Sequence, residues 1–173
     1  MELKNHIRDI PDFPKPGIVF KDITPLLDNP DAMAEVENQL VEAFAGERLT
    51  AVAGIESRGF IFGAMLARRL ELGFVPIRKE GKLPAARITE TYSLEYGEDV
   101  VEIHEDAVGK DDRVLIVDDL LATGGTAAAS VRLIERAGAE VVGLAFVVEL
   151  SFLEGRGKLE GHRVVSLLEY GSE

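Results

Sequence analysis

The chain has 173 residues, of which 46% are hydrophobic and 29% charged, with no cysteine and a net charge of −12 at pH 7. This length predicts one domain with a substantial core, and the lack of cysteine excludes disulfides, thiolate metal sites and cysteine nucleophiles. The acidity disfavours nucleic-acid partners. The sequence has no apolar run of about 18 residues, which a membrane span needs, and no signal-peptide core, so we expect a cytoplasmic protein without a membrane partner.

The first half of the chain predicts an irregular start followed by alternating helices and strands. Residues 9–17 read DIPDFPKPG, and their prolines predict an extended loop. Residues 31–44 place apolar side chains on one helical face, with Asp31 as the expected cap. Further elements are a strand at 51–55, a helix at 58–70 and a strand at 74–77.

The second half predicts an inserted loop and hairpin and then a return to the alternation. Residues 79–90 are charged and contain Gly81 and Pro84, which predicts a mobile loop. Residues 91–96 and 100–104, on either side of Gly97, predict the hairpin. The later elements are strands at 114–117, 141–148 and 164–168 and a helix at 126–137. This order predicts an α/β fold, an open and mostly parallel twisted sheet flanked by helices.

Residues 114–126, VLIVDDLLATGGT, carry the clearest chemical pattern. Four apolar residues lead into Asp118 and Asp119, and Thr-Gly-Gly-Thr follows just before a helix. Backbone N–H groups of a Gly-rich turn at a helix start can converge on a phosphate. Carboxylates at the end of a parallel strand can accept hydrogen bonds from the vicinal hydroxyls of a ribose. The pattern therefore predicts a sugar-phosphate site.

Each half of this pattern also has a plainer interpretation. An acidic pair at a strand end can be a metal site, as in acidic phosphotransfer proteins, and a Gly-Gly turn can be only a turn. A nucleotide P-loop is disfavoured, because no Gly-Lys-Ser/Thr follows the glycines. The complete string resembles the phosphoribosyl pyrophosphate (PRPP) signature of the type I phosphoribosyltransferases, with every position filled.

Three other groups could take part in the same chemistry. Arg58, in GIESRGF, lies near a predicted helix start, where it could receive pyrophosphate or simply pair with a surface carboxylate. The segment RKEGKLP, residues 78–84, could form a lid over a polyphosphate or remain a solvated charge run. Phe20 follows the Pro-rich loop and could stack on a flat base or belong to the core.

Five motifs in this order resemble the adenine phosphoribosyltransferases: FPKPGIVFKDIT, GIESRGF, RKEGKLP, YSLEYG and VDDLLATGGT. The resemblance extends from about residue 11 to residue 170. It implies the type I phosphoribosyltransferase fold as a single domain over residues 1–173. Residues 1–30 would form an N-terminal base-binding hood, and residues 79–104 the lid loop and hairpin.

The resemblance also implies the reaction and the residues that carry it. Adenine and PRPP would give AMP and pyrophosphate in a homodimer, with Mg²⁺ bound mainly through PRPP and water and with no protein metal ligand. Residues that match the PRPP site are Asp118 and Asp119 for the ribose hydroxyls and Ala122, Thr123, Gly124, Gly125 and Thr126 for the 5′-phosphate. Residues that match the pyrophosphate site are Ser57, Arg58, Arg78 and Lys82, with Arg78 reaching across the dimer interface and Arg58 and Lys82 acting in catalysis.

On the base side, the resemblance implies that Phe20 and Leu150 form the walls around adenine. The backbone of Val19 and Lys21 would read its amino edge, and Glu95 would handle the N7 proton. Lys21 stands where members often have Arg, which changes little for a backbone contact. Glu80 stands where some members have a basic residue, and it should weaken the pyrophosphate contact or pair with a neighbouring lysine.

Two alternatives remain at this stage. A phosphoribosyltransferase for hypoxanthine, guanine or xanthine would need a donor, usually a lysine, for the 6-oxo group, whereas a backbone carbonyl accepts from a 6-amino group. A non-catalytic PRPP-sensing regulator on the same fold should carry a DNA-binding segment or a basic face, and neither is evident in the sequence.

Overall fold

The central feature of the computed structural model, which describes residues 1–94 and 97–172, is a seven-stranded sheet with helices on both faces. The strands in chain order are β1 (Arg8–Ile10), β2 (Phe20–Asp22), β3 (Ala51–Ile55), β4 (Gly73–Lys79), β5 (Arg87–Ser93), β6 (Glu98–His104), β7 (Arg113–Leu121), β8 (Glu140–Leu150) and β9 (Val164–Tyr170). The α-helices are α1 (Thr24–Leu27), α2 (Pro30–Ala43), α3 (Gly59–Leu70) and α4 (Gly125–Arg136). Short 3₁₀ segments occur at Leu3–His6, Ser151–Leu153 and Gly155–Leu159.

The sheet has the order β5-β6-β4-β3-β7-β8-β9 and is parallel from β4 to β9. Every residue of β3 is buried, as expected for a central parallel strand that is covered on both faces. The hairpin β5–β6 joins one edge in antiparallel fashion, because Arg78 and Lys79 of β4 pair with β6. The predicted α/β class and mostly parallel sheet are confirmed.

Two hydrophobic clusters fill the space on the two faces of the sheet. One packs α4 on the sheet, with Ala53 and Ile116 facing it. The other packs α2 and α3 on the opposite face, where Val52 and the fully buried Phe62 lie. This alternation follows from the two-residue period of strands. In the part of the chain that the structure describes, no helix is long and apolar enough to cross a bilayer.

Several boundaries differ from the sequence predictions. The loop expected over 79–90 is shorter, because Arg87–Ser93 already pair with β6. The acidic pair lies within β7, which continues to Leu121, and not beyond the strand end. The N-terminal region is not all loop, since β1 pairs with β2. The cap of α2 is Asn29, whose side chain accepts a hydrogen bond from Ala32 N at 3.0 Å, and not Asp31.

Candidate active site

The sugar-phosphate motif forms a small hollow where β7 turns into α4. The hollow has a volume of about 90 Å³. Gly124 adopts a left-handed φ of 77° directly before the helix, which a side chain would disfavour. Among the residues that the structure describes, no side chain caps the start of α4, so its first backbone N–H groups are available as donors. The lining residues include Asp118, Ala122, Thr123, Gly124, Gly125 and Thr126.

The two adjacent aspartates have different surroundings. Asp119 is only 5% exposed, and one of its oxygens accepts a hydrogen bond from Arg58 Nε at 2.6 Å. Asp118 accepts from the backbone N–H of Asp119 at 2.9 Å and lines the hollow. Burial and the neighbouring Asp119 raise the pKa of Asp118 well above its ordinary value, despite the opposing effect of Arg58. The pair therefore presents carboxyl oxygens beside the hollow that can accept hydrogen bonds from hydroxyl groups.

Gly59, whose plainer interpretation from the sequence is that it permits close packing, lets α3 approach the acidic pair. A Cβ atom at this position would lie 2.8 Å from both Asp118 Oδ1 and the carbonyl oxygen of Val117. Only glycine therefore permits this packing. The signal was present in the sequence, since Gly59 directly follows Arg58, but its partner on β7 is distant along the chain.

Arg58 connects the acidic pair with the predicted base site. It lies at the N-terminal boundary of α3, and Ser57 beside it is exposed. Its guanidinium lies 5.6 Å from the centroid of the Phe20 ring while Nε bonds to Asp119. The structure thus brings a cation, a carboxylate and an aromatic ring together, as a site for an activated sugar and a flat base requires. Arg58 does pair with a carboxylate, as the plainer interpretation has it, but its partner Asp119 is buried and not on the surface.

Arg78, Lys79 and Lys82, the cations of the predicted lid, all contact Glu56, a residue that the sequence reasoning missed. Lys82 Nζ contacts this carboxylate, the backbone N–H of Lys79 donates to it at 2.8 Å, and Arg78 lies 3.4 Å away. Burial raises the pKa of Glu56, but the hydrogen bonds from Lys82, Lys79 and Arg78 lower it to about 2. Glu80 is exposed and forms no ion pair with the described residues. Lys82, the neighbouring lysine, pairs with Glu56 instead.

Replacing Glu56 by glutamine is expected to lower the free energy of unfolding at pH 7 by about 1–3 kcal/mol. The pKa of Glu56 is lower in the folded chain than its ordinary 4.5, so its stabilising effect is complete above about pH 4.5 and disappears as the pH falls towards 2. Urea unfolding of both proteins across this range should show the difference shrinking. The exposed Glu80→Gln variant is the control, and a Glu56→Gln deficit that does not change between pH 7 and pH 2 would contradict this assignment.

Tyr92 is a further residue missed by the sequence reasoning, and it connects the hairpin to residues 122–126, the predicted phosphate loop. Its hydroxyl accepts hydrogen bonds from Thr126 Oγ1 at 3.0 Å and Lys79 Nζ at 2.6 Å, and it donates to Asp99 at 2.8 Å. A Cβ atom on Gly125 would touch the Tyr92 ring at 3.4 Å. The hairpin therefore orients the threonine hydroxyl of the phosphate loop. Nothing local in the sequence indicates this long-range contact.

The base-side residues lie on the N-terminal strands and at the end of β8. Phe20 is half-buried on β2, with Val19 just before it, and it makes an edge contact with Phe13 at 5.3 Å between centroids. Lys21 is buried, with its Nζ 2.9 Å from Asp9 and 4.4 Å from the centroid of the Tyr170 ring. Leu150 ends β8, where it pairs with Tyr170. Glu95 lies outside the described residues.

The comparisons with known proteins agree on one family. A family model for the phosphoribosyl transferase domain matches residues 22–165. The adenine phosphoribosyltransferase of Carboxydothermus hydrogenoformans is 58% identical over 170 residues, which cover 98% of this chain and 100% of the relative. The crystal structure of adenine phosphoribosyltransferase from Thermoanaerobacter pseudethanolicus matches with a TM-score of 0.95 and 53% identity over 98% of each chain.

A structural neighbour with ligands supports the same grouping. The Saccharomyces cerevisiae adenine phosphoribosyltransferase, solved with an imino-altritol bisphosphate and adenine, matches with a TM-score of 0.91 and 44% identity. The match covers 96% of this chain and 97% of the yeast chain. The chain therefore belongs to the phosphoribosyltransferase family and, within it, to the adenine phosphoribosyltransferases.

Proposed function

We propose that this protein transfers the 5-phosphoribosyl group of PRPP to N9 of adenine and forms AMP and pyrophosphate. The observation that carries the proposal is the placement of Asp118 and Asp119 beside the amide-lined hollow of residues 122–126. The hollow suits a 5′-phosphate and the carboxylates suit the ribose hydroxyls. Arg58 lies between this pair and Phe20, where pyrophosphate and base would meet.

The reaction requires the protein to stabilise a departing anion and to exclude water. The bond between C1′ and the pyrophosphate oxygen breaks as N9 of adenine approaches, so that charge develops on an oxocarbenium-like ribose and on the leaving group. Arg58 and Lys82 supply positive charge to the pyrophosphate, with Ser57 and its backbone beside them. Lys82 must exchange Glu56 for this ligand. Closure of the loop at residues 80–86 over the site excludes water that would hydrolyse the sugar.

We infer that Mg²⁺ enters the site with PRPP and is held mainly by the phosphates and by water. Within residues 1–94 and 97–172, no group of three or more acidic or histidine side chains could hold a metal. Asp119 is already engaged by Arg58. When bound, Mg²⁺ would neutralise charge on the pyrophosphate, and it favours substrate phosphates and water as ligands.

Selectivity for adenine rests on the hood segment, residues 1–30, and on the end of β8. Phe20 and Leu150 would hold the ring, and the backbone of Val19 and Lys21 would accept from its 6-amino group. The buried Lys21 side chain is engaged by Asp9 and Tyr170, so it is a poor candidate for the donor that a 6-oxopurine needs. A backbone acceptor at the 6-position, with no lysine donor beside it from Lys21, favours adenine over hypoxanthine, guanine or xanthine.

We also infer a homodimer, which rests on the resemblance in residues 78–84. In that arrangement Arg78 would reach the pyrophosphate of the partner subunit. Within its own chain, the Arg78 guanidinium lies 3.4 Å from Glu56 and 3.3 Å from the carbonyl oxygen of Lys82. These contacts are long, so Arg78 can exchange them for a contact with pyrophosphate.

A purine screen tests the proposed function. The protein is mixed with PRPP and Mg²⁺ and separately with adenine, guanine, hypoxanthine and xanthine, and nucleotide and pyrophosphate are measured. We expect AMP and pyrophosphate in equal amounts with adenine and little product with the others. Turnover with guanine but not adenine would overturn the base assignment. PRPP binding without turnover of any purine would favour the regulator.

The Glu95→Gln variant tests the proposed role at purine N7. We expect kcat to fall by about 10²-fold with a smaller change in the KM for adenine, because a carboxylate that accepts the N7 proton as N9 bonds to C1′ acts mainly in the transition state. Steady-state kinetics at saturating PRPP measures both constants. Glu98→Gln, on the exposed start of β6, is the matched control. An unchanged kcat in Glu95→Gln would remove this residue from the mechanism.

A further inference from the structure

The 3₁₀ segment at Gly155–Leu159 packs directly behind the phosphate loop. A Cβ atom on Gly124 would lie 2.3 Å from the carbonyl oxygen of Gly155, and a Cβ atom on Gly155 would lie 2.2 Å from the carbonyl oxygen of Ala122. Both distances are far below van der Waals contact. The two backbones therefore approach as closely as they do only because both positions are glycine.

This contact matters because the loop has few other tethers. Among the described residues, no side chain hydrogen-bonds to the backbone of residues 122–124, and α4 has no side-chain cap. Thr126 is tied to Tyr92, but it lies two residues after Gly124, in the first turn of α4. Packing against Gly155 is thus a direct restraint on the backbone of residues 122–124, the part of the turn that Tyr92 does not contact.

The segment behind the loop is itself held by an ion pair between the exposed Arg156 and the buried Glu149. Arg156 donates from Nε and Nη2 to the carboxylate of Glu149, each at 2.7 Å, and from Nη1 to the carbonyl oxygen of Val164 at 3.0 Å. Glu149 lies on β8 and is 3% exposed. Forked pairing of this kind fixes geometry as well as charge. Leu159, the last residue of the segment, is buried in the hydrophobic core.

We propose that Gly155, held in place by the Arg156–Glu149 ion pair, is a positioning residue for the phosphate loop. Its backbone sets the width of the hollow, and the ion pair transmits the position of β8 to the loop. The residue after Glu149 is Leu150, so the same strand end supports the predicted adenine wall. This inference rests on the proposed function for the identity of the phosphate, although binding of ribose 5-phosphate tests it without turnover.

The test compares Gly155→Ala with Gly157→Ala. Both glycines belong to the same segment and neither has a positive φ, but a Cβ atom on Gly157 would meet nothing within 4 Å. We expect Gly155→Ala to weaken ribose 5-phosphate binding and to raise the KM for PRPP, each by about tenfold or more, with pyrophosphate binding changed less than twofold. Gly157→Ala should match the wild-type protein. Calorimetry with ribose 5-phosphate and with pyrophosphate provides the binding data.

A second variant covers the case in which Gly155→Ala does not fold. Arg156→Lys keeps the charge but loses the fork to Glu149, and we expect it to weaken ribose 5-phosphate binding about threefold to tenfold while pyrophosphate binding stays unchanged. Equal losses for both ligands would indicate general destabilisation and overturn the inference, as would unchanged ribose 5-phosphate binding in the folded variants. Absence of AMP formation by the wild-type protein would instead count against the proposed function alone.

Discussion

Replacing Asp118 and Asp119 together by asparagine is expected to lower kcat/KM for PRPP by about 10²- to 10³-fold. The two carboxylates are the acceptors for the ribose hydroxyls in our account, and amides are weaker acceptors that also present donors to them. Initial-rate kinetics with PRPP varied at saturating adenine measures the loss. The KM for adenine should change far less, because the base site lies on other elements.

The single variants should separate binding from stability. The pKa of Asp118 is raised in the folded chain, so stability falls as the pH rises above the ordinary value of 3.8, and Asp118→Asn should increase the free energy of unfolding at pH 7. Asp119→Asn should be destabilising, because it leaves Arg58 without its partner. Asp111→Asn, in an exposed turn, is the control. Normal PRPP kinetics in the double variant would refute the ribose-binding role of the pair.

Replacing Arg58 by alanine should produce the second large effect. We expect kcat/KM for PRPP to fall by about 10²-fold or more, because the guanidinium would no longer stabilise the departing pyrophosphate. Stability should fall as well, since Asp119 would remain buried without a partner. Kinetics, product inhibition by pyrophosphate and thermal unfolding measure these changes.

Arg69→Ala is the matched control, because Arg69 is an exposed arginine on the same helix. It should behave as the wild-type protein in all three measurements. If Arg58→Ala lost stability but retained its affinity for pyrophosphate, Arg58 would be only the structural partner of Asp119.

The sheet was predictable from the sequence because its central units carry local patterns. The apolar run of β3 and the amphipathic pattern of α3 can each be recognised within a window of about a dozen residues. By contrast, β1 and β2 have three residues each and no periodicity to detect. The start of β5 could not be predicted from the sequence, because its inward-facing residue Glu90 is charged. The structure shows that Arg132 and Arg136 of α4 form ion pairs with Glu90.

The candidate site follows the same division. Residues 118–126 could be identified because the acidic pair and the phosphate loop are contiguous in sequence. The contacts of Glu56, Tyr92 and Gly155 join elements that are far apart along the chain, so no local pattern records them. Sequence reasoning therefore finds the groups that would touch substrate more readily than the residues that hold them in place.

A crystal structure of the protein with PRPP and Mg²⁺ is the most direct test of the central claim. Our account predicts the 5′-phosphate in the hollow of residues 122–126, with the ribose hydroxyls on Asp118 and Asp119 and the pyrophosphate beside Arg58. A phosphate bound elsewhere, or hydroxyls that point away from both aspartates, would contradict it.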